Sequence, residues 1–366
     1  MARVYVGMSG GVDSSVAAAI LVRQGHDVTG VYMKNWSRDL PGMKCPWAED
    51  LADAKRVAVK LGIPFEVWDF EDAYRNKVVE YMLDEFRAGN TPNPDVMCNQ
   101  EIKFKLFYER AMAAGADLIA TGHYARVYDT NRRAPNAVSP ADDKDKTAML
   151  ARAVDENKDQ TYFLYRISEE ALAHTIFPVG EMLKPEVKRL AAEMGLHNAY
   201  KKESMGVCFV GEVGMKDFLK EYIDIQPGEI REIETGRVLG YHEGAVFYTI
   251  GQRHGLYLSG VAGEVNDGMP YYVVRKDTEQ NIVYVSKNLN HVAIWTRELR
   301  LKDIVWRAGA GSDGDVLVRL RHRAPLVPAV FDGERLYFES EIKRPATGQS
   351  AVLYDGEVCL GGGVIA

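Results

Sequence analysis

The sequence predicts an α/β protein: a parallel sheet covered by helices on both faces, followed by a β-rich second half. Three observations carry this. Short apolar runs alternate with longer amphipathic stretches through residues 4–120, the pattern of strand–helix–strand crossovers. A glycine–serine turn, Ser9-Gly10-Gly11, separates the first strand from the first helix. Beyond Gly206 the helical pattern gives way to short, glycine-punctuated strands, read as two small barrel-like units.

Residues 4–7 read as a short buried strand. A helix over 12–24 follows and stops at Gly25. Residues 28–33 form a second strand. The segment 47–61 is helical, with Leu51, Ala54, Val57, Ala58 and Leu61 on one face and Gly62 as the stop. A third strand spans 65–68, a helix 72–88, and a long loop 89–99. Residues 102–114 are helical and 117–120 are another strand. Right-handed crossovers make such a sheet parallel and place ligand sites at the carboxyl ends of its strands. The polar stretch 128–146 reads as a surface insertion. Helices resume near 169–174 and 185–194, and strands are expected at 245–250, 271–275, 282–285, 316–320 and 351–354.

With 366 residues, two or three domains are expected. The chain is 46% hydrophobic and 27% charged, which is ordinary for a globular protein. No apolar run is long enough for a membrane span, and the N-terminus enters a strand without signal-peptide architecture, so a cytoplasmic protein is expected. The net charge of −7 argues against bulk attraction to nucleic acid, so any RNA contact needs a local basic face.

Ser9-Gly10-Gly11-Val12-Asp13-Ser14-Ser15 lies between a strand and a helix. Glycines let backbone N–H groups approach an anion, and the helix N-terminus adds unpaired donors and a positive dipole end. Ser9, Ser14 and Ser15 add hydroxyl donors, and Asp13 can hold a magnesium ion on the phosphates. The loop is neither a GxxxxGK[ST] nor a GxGxxG motif.

Four cysteines, Cys45, Cys98, Cys208 and Cys359, form no CxxC pair, which disfavours structural zinc. Cys98 follows Asn93-Pro94-Asp95, with Pro92 and Pro94 stiffening a loop and Asp95 three residues ahead of the thiol. Cys208 lies in a second loop-like segment after Lys201 and Lys202, whose ammonium groups would favour a thiolate. Cys359, beside Gly361–Gly363, reads as structural, and Cys45 has no comparable setting.

SGGVDSS resembles the pyrophosphate loop of the ATP pyrophosphatase (PP-loop) superfamily, whose members adenylate an oxygen and release pyrophosphate. TPNPDVMCNQEIKF, ATGHYARV, KDQTYFLY, ESMGVCFVGE, TIGQRHGL and GEVCLGGG look like the bacterial tRNA-specific 2-thiouridylase family, MnmA or TrmU, over nearly the whole chain. The resemblance implies a Rossmann-like PP-loop ATPase domain over 1–212, a small central domain over 213–288 and a C-terminal β-barrel-like domain over 289–366. It implies ATP and Mg²⁺, with Gly7, Met8, Ser9, Gly10, Gly11, Val12, Asp13, Ser14, Met33 and Gly122 around the nucleotide. Cys208 is implied to carry a persulfide, Cys98 to help release its sulfur with formation of a Cys98–Cys208 disulfide, and Asp95 to act as an acid/base group. Asn93, Pro94 and Asp95 are implied at the target base. Contacts with tRNA are implied for His123, Lys158, Asp159, Gln160, Arg321, His322 and Gln349. His322 stands where the family often has tyrosine.

Implied partners are the tRNAs for Lys, Glu and Gln and a sulfur donor, either a relay carrier or a cysteine desulfurase; a monomer is expected. Independently of the family, Arg319, Arg321 and Arg323 alternate along an expected strand and would share one basic face. Rival readings are an ATP pyrophosphatase acting on a small molecule, a noncatalytic RNA-binding protein and a 4-thiouridine enzyme. The first leaves the two loop cysteines and the arginine stripe unexplained, and the intact loop speaks against the second. The third would bring further RNA-binding and sulfur-transfer domains that are not found.

Overall fold

The computed structural model describes residues 1–39, 45–129, 148–202, 215–256, 258, 269–307 and 313–366. Its first sheet contains β1 (Arg3–Gly7), β2 (Asp27–Lys34), β3 (Phe65–Asp69), β4 (Leu118–Thr121) and β7 (Thr175–Ile176). These run parallel in the order β3-β2-β1-β4-β7. Strand order reverses between β1 and β4, so the loops leaving those two strands open a crevice at the carboxyl edge.

Helix α1 (Val12–Arg23) begins at the end of that first loop. Its buried Val16, Ala17 and Leu21 join Val4, Val6 and Ala120 in one core layer. Helix α2 (Trp47–Leu61) keeps Ala54, Val57 and Ala58 inside and ends at Gly62 with φ +68°, a left-handed stop suited to glycine. On the other face, Trp68 packs against Tyr5 and Phe107 at ring-centroid distances of 5.7 and 5.6 Å. Each large apolar side chain withdrawn from water contributes about 1.5–3 kcal/mol.

The expected loop at 89–99 is only partly a loop. Asn93 caps a helical turn over Pro94–Met97 by accepting from the Asp95 N–H at 3.2 Å, and the chain continues as a π-helical stretch over Cys98–Leu106. Proline suits the first position of a helix, where its missing N–H has no partner to lose. Cys98 therefore starts a helix and is buried, 2% exposed, instead of sitting in an open loop.

Hairpin β5 (Ala125–Asp129) and β6 (Ala148–Arg152) flanks residues 130–147, which lie outside the described residues and hold all of the expected 128–146 insertion but its first two residues. Among the described residues of the central region, β8 (Gly228–Glu232), β9 (Val238–His242), β10 (Tyr272–Asp277) and β11 (Ile282–Ser286) form a mixed sheet ordered β10-β11-β8-β9. The strand expected at 245–250 is a single 3-10 turn, Ala245–Phe247.

The last region holds β12 (Trp295–Trp306), β13 (Gly314–Arg319), β14 (Val327–Phe331), β15 (Arg335–Lys343), β16 (Ser350–Asp355) and β17 (Val358–Ile365). Pairing of β12 with both β15 and β17 closes the order β12-β15-β14-β13-β16-β17 into a barrel. Leu299, Val318, Phe331, Leu336 and Leu353 fill it.

The β5–β6 hairpin extends the barrel sheet. Ala151 stands opposite Val358, and the Arg152 N–H donates to the Glu357 carbonyl at 2.8 Å. Nearby, Arg307 is buried and donates Nη2 to the carbonyls of Leu164 and Tyr165, while Tyr162 donates its hydroxyl to the Ser350 carbonyl at 3.0 Å. The nucleotide-side domain and the barrel thus share both a sheet and a core.

Candidate active site

The turn after β1 is built from glycine and serine for steric reasons. Gly10 takes φ +77°, and a Cβ there would lie 2.3 Å from the Asp50 carbonyl oxygen. At Gly7 a Cβ would meet only the end of the flexible Met33 side chain, at 2.8 Å, a milder constraint. Gly11 is the N-cap of α1 without any side-chain capping bond, so the first-turn N–H groups have no partner inside the helix. Ser14 and Ser15 donate their hydroxyls to the Gly11 carbonyl at 3.2 and 2.8 Å, and Asn198 donates to the Gly10 carbonyl at 2.9 Å. These bonds hold the cradle open. Met8 and Val12 are buried in the core, so they offer the crevice backbone groups only, while Ser9 is exposed. Met33 lies within β2, half-buried, opposite Trp68.

Asp13 does not stand ready for a metal. Lys184, 7% exposed, places its ammonium 2.6 and 2.7 Å from the two carboxylate oxygens, and Tyr124 donates to Oδ1 at 2.8 Å. Among the described residues no three His, Cys, Asp or Glu side chains gather into a metal-binding group. The carboxylate expected to hold magnesium is thus paired with an ammonium in this structure. Lys184 was missed by sequence reasoning. The available signal was a lysine heading the helix Lys184–Glu193, but its partner lies far away in the chain.

Two consecutive residues after β4 join the phosphate loop to the thiol segment. A Cβ on Gly122 would lie 2.4 Å from the Ser14 backbone nitrogen, so glycine alone allows β4 to meet the start of α1. His123, 9% exposed, lies among Phe104 and Phe177, with Nδ1 2.8 Å from Thr121 Oγ1 and Nε2 3.5 Å from Lys103 Nζ. An ammonium donates only, so Nε2 accepts and Nδ1 carries the proton toward Thr121. Burial, with the Lys103 charge, holds the His123 pKa well below its usual range. Its enclosed ring, to which the resemblance gives a tRNA contact, is here a bridge inside the protein.

Lys103 also acts on Asp95. Burial raises the Asp95 carboxyl pKa above its ordinary value, against the opposing pull of Lys103. The Asn99 amide donates to the Asp95 carbonyl at 3.0 Å, so Asp95, Cys98 and Asn99 belong to one rigid turn. Cys208 lies outside the described residues. Lys201, expected to favour a thiolate, is held between Asp50 and Asp53 at 2.7 and 2.6 Å, so its charge is already balanced.

The arginine stripe is also corrected. β13 ends at Arg319, which is buried and ion-paired with Asp159, while Arg321 and Arg323 occupy the following turn. Asp159 is 1% exposed and also accepts from Thr161, so its side chain faces inward. His322 packs on Phe163 at 4.5 Å between ring centroids, and burial lowers its pKa to about 4. Gln160 accepts from the Tyr124 N–H at 2.9 Å, and Gln349 donates to the Thr91 carbonyl at 2.7 Å. Lys158 is half-buried; Arg321 is exposed. Asn93 is half-buried and Pro94 buried beside Asp95.

Three family profiles match in sequence: a tRNA methyl transferase HUP domain over residues 2–212, a tRNA methyl transferase PRC-barrel domain over 216–287, and an aminomethyltransferase beta-barrel domain over 296–365. The chain is 44% identical to the tRNA-specific 2-thiouridylase MnmA of Idiomarina loihiensis, covering 99% of this chain and 95% of that one. It is 46% identical to the protein of the same name from Bordetella pertussis, covering 99% and 97%. Among solved structures, a 4-thiouridine synthetase–RNA complex with bound ATP shares 15% identity at a TM-score of 0.34, covering 60% of this chain and 50% of that one. A likeness so slight carries no argument.

Proposed function

The chain belongs to the tRNA-specific 2-thiouridylase family, and on that premise we propose that it adenylates O2 of the wobble uridine of tRNA and replaces that oxygen with sulfur carried on Cys208. It is an ATP-dependent tRNA sulfurtransferase. The observation that carries the detailed reading is the pair Gly122–His123, which ties the phosphate cradle to the Asp95–Cys98 turn. Activation and sulfur delivery then occur in one crevice. A methyl transfer, which the profile descriptions name, gives no role to a phosphate cradle.

The chemistry follows from leaving groups. A uracil C2 oxygen leaves poorly; joined to AMP it leaves well. The N–H groups of the α1 first turn and Ser9 hold the phosphates of ATP, and the Lys184–Asp13 ion pair braces the start of that helix. Asp95, whose raised pKa makes it a stronger base than an ordinary carboxylate, takes the N3 proton as O2 attacks the α-phosphate and pyrophosphate departs. The Cys98 thiolate attacks the Cys208 sulfur of a Cys208 persulfide, forming a Cys98–Cys208 disulfide and releasing hydrosulfide. Hydrosulfide adds at C2 and AMP leaves with the original oxygen. An external dithiol reduces the disulfide for the next turnover.

Magnesium would enter with ATP and offset the charge of its phosphates. A relay carrier or cysteine desulfurase supplies the persulfide, and the tRNAs for Lys, Glu and Gln are the expected acceptors. Among the described residues, no helix is long and apolar enough to cross a membrane.

The test is mass spectrometry of nucleosides from unmodified tRNA incubated with the protein, Mg-ATP and a persulfide-generating cysteine desulfurase. 2-Thiouridine is expected only with ATP, and Cys208→Ser is expected to abolish it while tRNA-dependent AMP formation continues. Release of AMP and pyrophosphate without any thiolated nucleoside would return the small-molecule reading to the front.

A further inference from the structure

The segment ahead of Asp95 and Cys98 is gripped by the two other domains. Thr91 donates its N–H to the Thr347 carbonyl at 2.8 Å and accepts at its carbonyl from Gln349 Nε2 at 2.7 Å. One barrel turn therefore binds both backbone polar groups of a single residue. Gly348, between the two partners, has φ +87°, and a Cβ there would come within 3.0 Å of Asn90 Cβ and the Thr91 nitrogen. The turn itself is tied to the last barrel strand: Gly348 N–H donates to the Ile365 carbonyl at 2.9 Å and Ile365 N–H to the Gln349 carbonyl at 2.8 Å. From the central sheet, Lys276 donates to the Gly89 carbonyl at 2.9 Å. Two residues after Thr91, Asn93 caps the turn that carries Asp95 and Cys98.

We propose that Gln349 is a positioning residue: with Thr347 and Gly348 it clamps Thr91 and thereby sets the Asp95–Cys98 turn, a role separate from any contact its amide oxygen makes with RNA. The proposal rests on the reading of Asp95 and Cys98 given above. Its physical basis is reach. The Gln349 amide donates inward to a loop carbonyl, and the loop it fixes is too short to move without carrying the Asn93 cap with it. Loss of the clamp leaves a backbone carbonyl unpaired and lets the turn open.

The experiment compares wild type with Gln349→Leu, using the full chain, and Gln349→Met if the leucine variant does not fold. Three quantities are read: tRNA affinity with its salt dependence, the rate of Cys98 alkylation by iodoacetamide without RNA, followed by peptide mass spectrometry, and the thiolation rate. The clamp predicts Cys98 alkylation faster by about tenfold and thiolation slower by a similar factor, whatever the tRNA affinity does. Unchanged Cys98 alkylation would overturn the proposal, and together with weakened tRNA binding would leave Gln349 as an RNA contact only. Cys98 alkylation needs no catalysis. If Cys98→Ser proved fully active, the assigned role of Cys98 would fall, while the alkylation readout would still decide the clamp.

Discussion

At the residue scale, the contrast between Asp13 and Lys184 separates what local sequence reveals from what it hides. The loop SGGVDSS is a local object: its turn, its glycines and its helix start are contiguous, and chemistry follows from them. The ammonium that neutralises Asp13 arrives from the helix Lys184–Glu193, and nothing in the spacing announces it. The same blindness applies to Arg319, whose alternation with Arg321 suggests an exposed face until the buried Asp159 is seen opposite it. Lys184→Met leaves the Asp13 carboxylate unbalanced beside the proposed triphosphate site. The KM for ATP should rise by about tenfold or more with tRNA affinity unchanged, measured by AMP release and filter binding. The double change Asp13→Asn with Lys184→Met should recover part of the loss, because the two effects act through one ion pair.

Elements were legible where periodicity and stop signals agree. Helix α2 matches its expected bounds because an amphipathic face and Gly62 both mark it. The Asp95–Cys98 turn was misread because two prolines look like loop punctuation. Asn93-Pro94-Asp95 is also a helix start, with a capping side chain followed by proline at the first helical position. The contact between β4 and α1 gives the prediction at this scale. In Gly122→Ala the new methyl meets backbone atoms of Asp13 and Ser14, which cannot swing away. A loss of about 1–3 kcal/mol in urea unfolding is expected, together with weaker ATP binding by calorimetry, because the displaced atoms belong to the cradle. A Gly122→Ala protein with wild-type stability and ATP affinity would show that the two elements slide apart freely.

For the whole molecule, order of domains was legible from the change of texture after Gly206, but their fusion was not. It depends on pairings between distant residues: Asp159 with Arg319, Thr161 with Tyr354, and Arg307 with the carbonyls near Leu164. Arg319→Met should destabilise the protein by about 3–5 kcal/mol, because it leaves Asp159 as a buried charge without its ion-pair partner. Denaturant unfolding followed by both tryptophan fluorescence and far-UV dichroism checks this, and Asp159→Asn in the same chain should return much of the loss.

The hairpin β5–β6 ends up hydrogen-bonded to β17, the last strand of the chain. On the ribosome this imposes an order of events. β6 is made early and its partner about two hundred residues later, which at ordinary elongation rates is roughly 10 to 40 s. Through that interval β6 presents an unpaired strand edge to the cell, the kind of surface on which nascent chains associate with one another. Slower synthesis or a smaller chaperone supply is therefore expected to lower the yield of folded protein.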